Sequence, residues 1–201
     1  MWNGIYAYGR PIQYSYMKQD LSLYSMQTTY ASRPWAIEMP SAGYPLTWAI
    51  LLELKRRGIG LAWLTHAAGL SAAGPAELDR LLPMTESFEI PQETAGAIAR
   101  ARSDRRRIIA VGTTVVRALE GCASTLDGRI TAGRGETDLI ISETYRLSVV
   151  DGILTGLHDP SQTHYRLLRA FASESILHDV WRHATSQDYH CHEFGDLCLI
   201  L

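Results

Sequence analysis

Arg105-Arg106-Arg107-Ile108-Ile109-Ala110-Val111-Gly112-Thr113-Thr114-Val115-Val116-Arg117-Ala118-Leu119-Glu120 is the stretch that decides the fold. Ile108 to Val111 is a short apolar run of the kind carried by a strand buried on both faces. Gly112 interrupts it, and Val115 to Glu120 reads as helix. Ligands of such strand-to-helix units gather beyond the C-terminal end of the strand. Here that end is Gly112, Thr113 and Thr114. Glycine lets the backbone approach a ligand closely. The helix N-terminus offers free N–H groups and partial positive charge, and the threonine hydroxyls add donors for a carboxylate or phosphate. A threonine at this place can equally serve as a plain helix cap. Just upstream, Arg100, Arg102, Arg105, Arg106 and Arg107 form a basic cluster, able to hold RNA phosphates or to be a solvated connection.

Outward from this unit, strands and helices alternate. Leu46 to Arg57 has apolar residues at helical spacing and closes on basic residues and Gly58, a helix stop. Pro91 to Arg102, Thr163 to Phe171 and Ser175 to Ala184 read as further helices. Ala36 to Met39, Ile59 to Leu64, Leu139 to Ile141, Leu147 to Val150 and Leu197 to Leu201 read as strands, with a Gly- and Ala-rich loop over Ala67 to Gly74. The alternation predicts an α/β fold with a mainly parallel sheet and flanking helices over residues 35–201. The start differs. Seven of the ten tyrosines fall between Tyr6 and Tyr44, and Ile5 to Tyr16 alternates loosely around Gly9 and Pro11. Residues 1–34 are therefore expected to form a β-rich segment.

Composition narrows the class. Of 201 residues, 46% are hydrophobic and 20% charged, which fits a globular chain with its own core and excludes gross disorder. No apolar run approaches the ~20 residues of a membrane helix, and Met1-Trp2-Asn3-Gly4 has no signal-peptide character. Cys122, Cys191 and Cys198, without CxxC spacing, suggest reduced thiols in a cytoplasm and no zinc site. The net charge of −2 neither requires nor forbids a nucleic-acid partner.

Three further places carry chemistry. Thr137 and Asp138 lead into one expected strand and Asp151 leaves another; such carboxylates can accept hydrogen bonds from ribose hydroxyls or an exocyclic amine, or simply make turns. Thr155-Gly156-Leu157-His158-Asp159-Pro160 offers a histidine as acid, base or donor. His178, His183, His190 and His192 read as surface or packing residues, and His190-Cys191-His192 lacks a second ligand pair.

Together these residues resemble the S-adenosylmethionine:tRNA ribosyltransferase-isomerases of queuosine biosynthesis, over about Gly9 to Leu201. Ile109 to Glu120 looks like the family's signature strand-to-helix segment. Thr137-Asp138-Leu139-Ile140-Ile141 is similar to its Thr-Asp-Leu-Phe-Ile element. Val149-Val150-Asp151, Thr155, His158, Pro160, Thr163 and Ala170-Phe171-Ala172 fit the next block in order, and Gly195-Asp196 with Leu199-Ile200 fits the C-terminal signature. Tyr24, Gln27-Thr28, Tyr30-Ala31, Pro40 and Ala42-Gly43 fit the upstream one. Departures stand beside the matches. Pro45 in Ala42-Gly43-Tyr44-Pro45-Leu46-Thr47 and Met84 in Pro83-Met84-Thr85-Glu86 replace family histidines, while His66 fits a third in a blurred stretch.

The resemblance implies a partial, barrel-like α/β domain, with residues 1–34 left from an inserted small β-barrel, because family members are much longer. The chain is then expected to need an N-terminal companion chain or self-association. The activity implied is transfer and isomerisation of the ribosyl group of S-adenosylmethionine onto the aminomethyl of a 7-deazaguanine base in tRNA, giving epoxyqueuosine without a metal. His158, His66 and Asp151 would be catalytic. Gly112, Thr113, Thr114, Arg117, Thr137, Asp138, Thr155, Gly195 and Asp196 would bind substrate. Two other classes stay open: a divergent enzyme using S-adenosylmethionine or a nucleoside with another acceptor, and a non-catalytic RNA-binding or partner subunit.

Overall fold

The computed structural model describes residues 2–12, 18–36, 38–69, 84–191 and 194–201. The elements follow as α1 (Trp2–Tyr8), single 3₁₀ turns at Tyr24–Met26 and Ser41–Gly43, α2 (Trp48–Arg56), β1 (Thr65–His66), β2 (Glu86–Ile90), α3 (Gln92–Ser103), β3 (Ile109–Val111), α4 (Thr113–Ser124), β4 (Gly133–Thr137), β5 (Gly152–Gly156), α5 (Thr163–Leu168), α6 (Glu174–Ser186) and β6 (Leu197–Ile200). The fold is mixed α/β. The strands form two three-stranded sheets, β1-β2-β4 and β3-β5-β6.

The central helix α4 organises both sheets, packing on β1 and β4 of the first and on β3 and β5 of the second. Its residues Val116 to Ala123 are all buried, which is the signature of a helix enclosed on every side. Small residues make this possible. A Cβ at Gly121 would stand 2.3 Å from Thr137 Oγ1, so only glycine lets α4 lie this close to β4. The alternation in β2 turns Glu86, Phe88 and Ile90 inward toward the core, where Ile90, Val116 and Ile153 are almost completely buried. Burying an aliphatic side chain contributes about 1.5–3 kcal/mol. The core joins the sheets, α4, and inward residues of α3, α5 and α6.

The main corrections concern strand direction and strand identity. The sheet is not mainly parallel: among the described residues β3–β5 is the parallel pair, and β1–β2, β2–β4 and β5–β6 are antiparallel. A single crossover helix returns the chain for a parallel neighbour. Here β4 leaves for the other sheet, and two helices rather than one separate β5 from β6. The apolar runs at residues 139–141 and 147–150 are irregular backbone, although Ile141, Val149 and Val150 are buried as expected. The carboxylate of Glu120 explains the second run: its oxygens accept from the N–H groups of Ser148, Val149 and Val150 at 2.9–3.0 Å, in place of a strand partner. Ile59 to Trp63 is exposed coil, and the strand begins only at Thr65.

Strand character is also absent from the described part of residues 1–34. Trp2, Ile5 and Tyr6 stand at helical spacing, and Trp2–Tyr8 is helix, ended by Gly9 and Pro11. The expected alternation continues into residues 13–16, which lie outside the described residues, as do Ile37 of the Ala36 to Met39 run and most of the Ala67 to Gly74 loop.

Candidate functional site

A cavity of about 590 Å³ lies between the N-terminal segment and the start of α4, within the size range of small-molecule sites. Val111, at the end of β3, and Thr114 and Val115, in the first turn of α4, form one wall. Met26, Tyr30, Trp35 and Met39 give the facing wall its aromatic and sulfur-bearing surface. Gly112 makes this geometry possible. Its φ of +91° belongs to glycine, its N–H donates to Leu154 O at 2.8 Å, and Ala42 packs 3.7 Å from where its Cβ would stand. Gly112 itself is the helix N-cap and no side chain caps α4, so the capping role expected of a threonine is not used. Tyr30 is seated with its hydroxyl against Gly43 and its ring 5.0 Å from that of Trp63; burial raises its phenol pKa.

His66 and Thr65 of β1 also line the cavity. The His66 side chain is 5% exposed, and Nε2 stands 3.5 Å from Glu86 Oε2 without hydrogen-bond alignment. Glu86 is gripped more firmly. Its Oε2 accepts from Arg117 Nη1, and its Oε1 accepts from the N–H of Gly69 at 2.8 Å. Arg117 Nε donates to Leu139 O at 3.1 Å. Around the cavity, three buried polar groups have no hydrogen-bond partner among the described residues: both ring nitrogens of His66, Nη2 of Arg117, and Oγ1 of Thr28, a residue of the cavity wall. Burial, and then the positive charge of Arg117, push His66 down to about 4, so the imidazole is neutral at pH 7. Burial also lowers Arg117, against the opposing pull of Glu86 and Asp138.

The other expected residues are placed apart from this cavity wall. Thr155, in the middle of β5, shares a 2.8 Å hydrogen bond with His158 Nε2. The His158 ring lies 5.0 Å from His164, and burial followed by His164 lowers it to about 4. Asp151 accepts the N–H of Ile108 at 2.7 Å, and Asp196 the N–H of His190 at 2.8 Å, so both carboxylates hold backbone in place. Gly195 sits in the same turn as Asp196. Thr137 is buried against Gly121, and its hydroxyl accepts from Leu139 N at 3.1 Å. Asp138 is exposed. Arg117 was expected to bind substrate; in the structure its guanidinium pairs with the protein's own Glu86. Glu86 and Thr28 are the functional candidates that residue-by-residue reading missed, although both stand inside the segments that carry the resemblance. Among the described residues, no three or more His, Cys, Asp or Glu side chains gather as metal ligands, and no helix is long and apolar enough to cross a membrane.

Comparison with known proteins places this arrangement. Residues 1–200 match the family described as Queuosine biosynthesis protein. The S-adenosylmethionine:tRNA ribosyltransferase-isomerase of Aromatoleum aromaticum is 40% identical over 177 residues, covering 87% of this chain and 51% of that protein. The protein of the same name from Thermus thermophilus is 37% identical over 188 residues, covering 92% of this chain and 54% of its own length. The crystal structure of S-adenosylmethionine tRNA ribosyltransferase from Thermotoga maritima superposes with a TM-score of 0.66 at 30% identity, over 80% of this chain and 51% of that one. The chain thus spans about half the length of the curated relatives it matches. With sequence and fold in agreement, the chain belongs to the queuosine biosynthesis protein family.

Proposed function

We propose that this chain carries the nucleoside-binding part of an S-adenosylmethionine:tRNA ribosyltransferase-isomerase and works with its RNA acceptor in the cytoplasm. The ribosyl group of S-adenosylmethionine is transferred to the aminomethyl nitrogen of a 7-deazaguanine base in tRNA and isomerised to epoxyqueuosine, with loss of adenine and methionine. The observation that carries the reading is the cavity at the end of β3, where the family's signature segment meets buried, unpaired polar groups. Tyr30 and Trp35 offer flat faces to a purine. The hydroxyls of Thr28 and Thr114 suit ribose or the methionyl end, and Asp138, of the expected carboxylates, is exposed and close enough to Arg117 to act on its charge.

The sulfonium acidifies the neighbouring ribose carbons, so the reaction needs a base that is unprotonated at working pH. His66 meets that requirement. His158, paired with Thr155 and outside the cavity lining, is the second proton-handling candidate.

The half of the relatives' length not represented here has a natural place. Trp48, Leu52 and Trp63 are 58%, 59% and 43% exposed. We propose that polypeptide corresponding to that remaining half, in a companion or as a continuation, covers this surface. Light scattering on the chain alone is expected to show self-association, and a monodisperse monomer with a cooperative melt counts against it.

The test of function is calorimetric titration with S-adenosylmethionine, followed by measurement of adenine release with tRNA, with and without the remaining half. Binding and adenine release support the reading. Binding with no release on tRNA favours another acceptor, and RNA binding without nucleoside binding favours a non-catalytic subunit.

A further inference from the structure

We propose that the turn between α3 and β3 is an RNA-binding surface that grips the phosphate backbone of the tRNA acceptor; the inference rests on the functional reading above. Five arginines and one aspartate fall within residues 100–107, in a chain whose net charge is −2. All five arginines are exposed. Arg106 has an acidic neighbour, Asp104 at 3.7 Å, and Arg102 donates to the carbonyl of Gly128. Arg100, Arg105 and Arg107 make no ion pair among the described residues. Arg100 and Arg102 lie in the last turn of α3 and suit its negative end. Arg105, Arg106 and Arg107 lie beyond the helix, where that explanation stops.

The turn is held rigidly. Asp104 N donates to Arg100 O at 2.9 Å, Arg105 N to Arg102 O at 3.1 Å and Arg106 N to Ala101 O at 2.8 Å. Arg105 has φ +53°, the left-handed conformation in which a helix end favours glycine. An arginine stands there although the backbone favours glycine. The Arg102–Gly128 bond ties in the next loop, whose exposed Arg129 adds charge and whose Asp127 is its one acid. The turn precedes β3, at the opposite end of the strand from the cavity. Val111 lines the cavity, and Arg107 lies four residues earlier, about 13 Å of extended chain away.

The test uses the full chain and a fluorescent anticodon stem-loop transcript, titrated by anisotropy between 50 and 200 mM salt, roughly the range over which phosphate contacts dominate. The variant R105Q/R106Q/R107Q is compared with R56Q/R57Q, a control in which the arginines are engaged with Glu53 on exposed α2. We expect the triple variant to bind at least about tenfold more weakly, with a log–log salt slope smaller by about 0.7–0.9 for each arginine that meets a phosphate. Its S-adenosylmethionine titration and melting temperature should match those of the parent chain. An unchanged affinity and slope, an equal loss in the control, or no RNA binding by the parent chain overturns the proposal. Failure to bind S-adenosylmethionine overturns the functional reading instead.

Discussion

Two buried glutamates meet the central helix, and their surroundings are finished differently. Glu120, on α4 itself, is completely buried, and its two oxygens receive Ser148 N, Ser148 Oγ, Val149 N, Val150 N and, at 3.3 Å, Tyr145 OH. Every donor around it has a partner. Glu86, on β2, is held by Arg117 and Gly69, yet Arg117 Nη2 and both nitrogens of the adjacent His66 have no partner among the described residues. An unmade buried hydrogen bond costs about 1–3 kcal/mol. The network around Glu120 fixes a loop, whereas the one around Glu86 borders the cavity.

The largest expected effect tests whether Glu86 and Arg117 are each other's partner. R117M leaves a buried carboxylate uncompensated and should lower the free energy of unfolding in urea by about 3–5 kcal/mol. E86L/R117M should recover most of that while losing nucleoside binding. Equal losses in the single and double variants would remove the distinction between the two glutamates. Next comes E120Q, which turns an amide group toward donors and should cost about 3 kcal/mol in the same measurement, without a selective change in ligand affinity once folded.

The third prediction concerns pH. His66 and His158 stand near 4 in the folded chain and at about 6.5 when unfolded. The unfolded state therefore binds more protons between those values. Their contribution is full above about 6.5 and is lost as pH falls toward 4. Each accounts for up to roughly 3 kcal/mol at 1.36 kcal/mol per unit. Melting curves at pH 7 and 4.5 should show H66Q gaining on the parent chain as pH falls; parallel curves would refute the neutral, buried imidazole. The smallest effect is Y145F, at about 0.5–1 kcal/mol, because its bond to Glu120 is long and one of five. The Tyr145 phenol, pushed up to about 12 by burial and then by Glu120, should ionise in an absorbance titration only at that alkaline end.

Local features were legible in the sequence. Ile109–Val111 and α4 stand where the apolar run, Gly112 and the following residues put them, and α2 stops at its basic residues before Gly58. Long-range features were not. Periodicity and apolarity report burial, which held at Ile141, Val149 and Val150. They do not report which group takes the backbone N–H, and Glu120 took it. Strand direction depends on which sheet a strand joins, a choice made far along the chain. For the site, Thr114, expected to bind substrate, and His66, expected to be catalytic, both line the cavity. Glu86 was hidden because its partner is 31 positions away. Asp151 and Asp196 looked available because a carboxylate bound to backbone is spelled the same way as a free one.

The position of α4 between two sheets has a kinetic consequence. Its amides from Ala118 to Ala123 have protein on every side, so they should exchange with deuterium only when the whole molecule opens. The facing cavity wall, residues 23–46, is tied by isolated turn bonds such as Met26 N to Leu23 O and Gly43 N to Pro40 O. Its protection factors should be far lower. A nucleoside could then enter by a local excursion of that wall, on a faster clock than the one that governs unfolding.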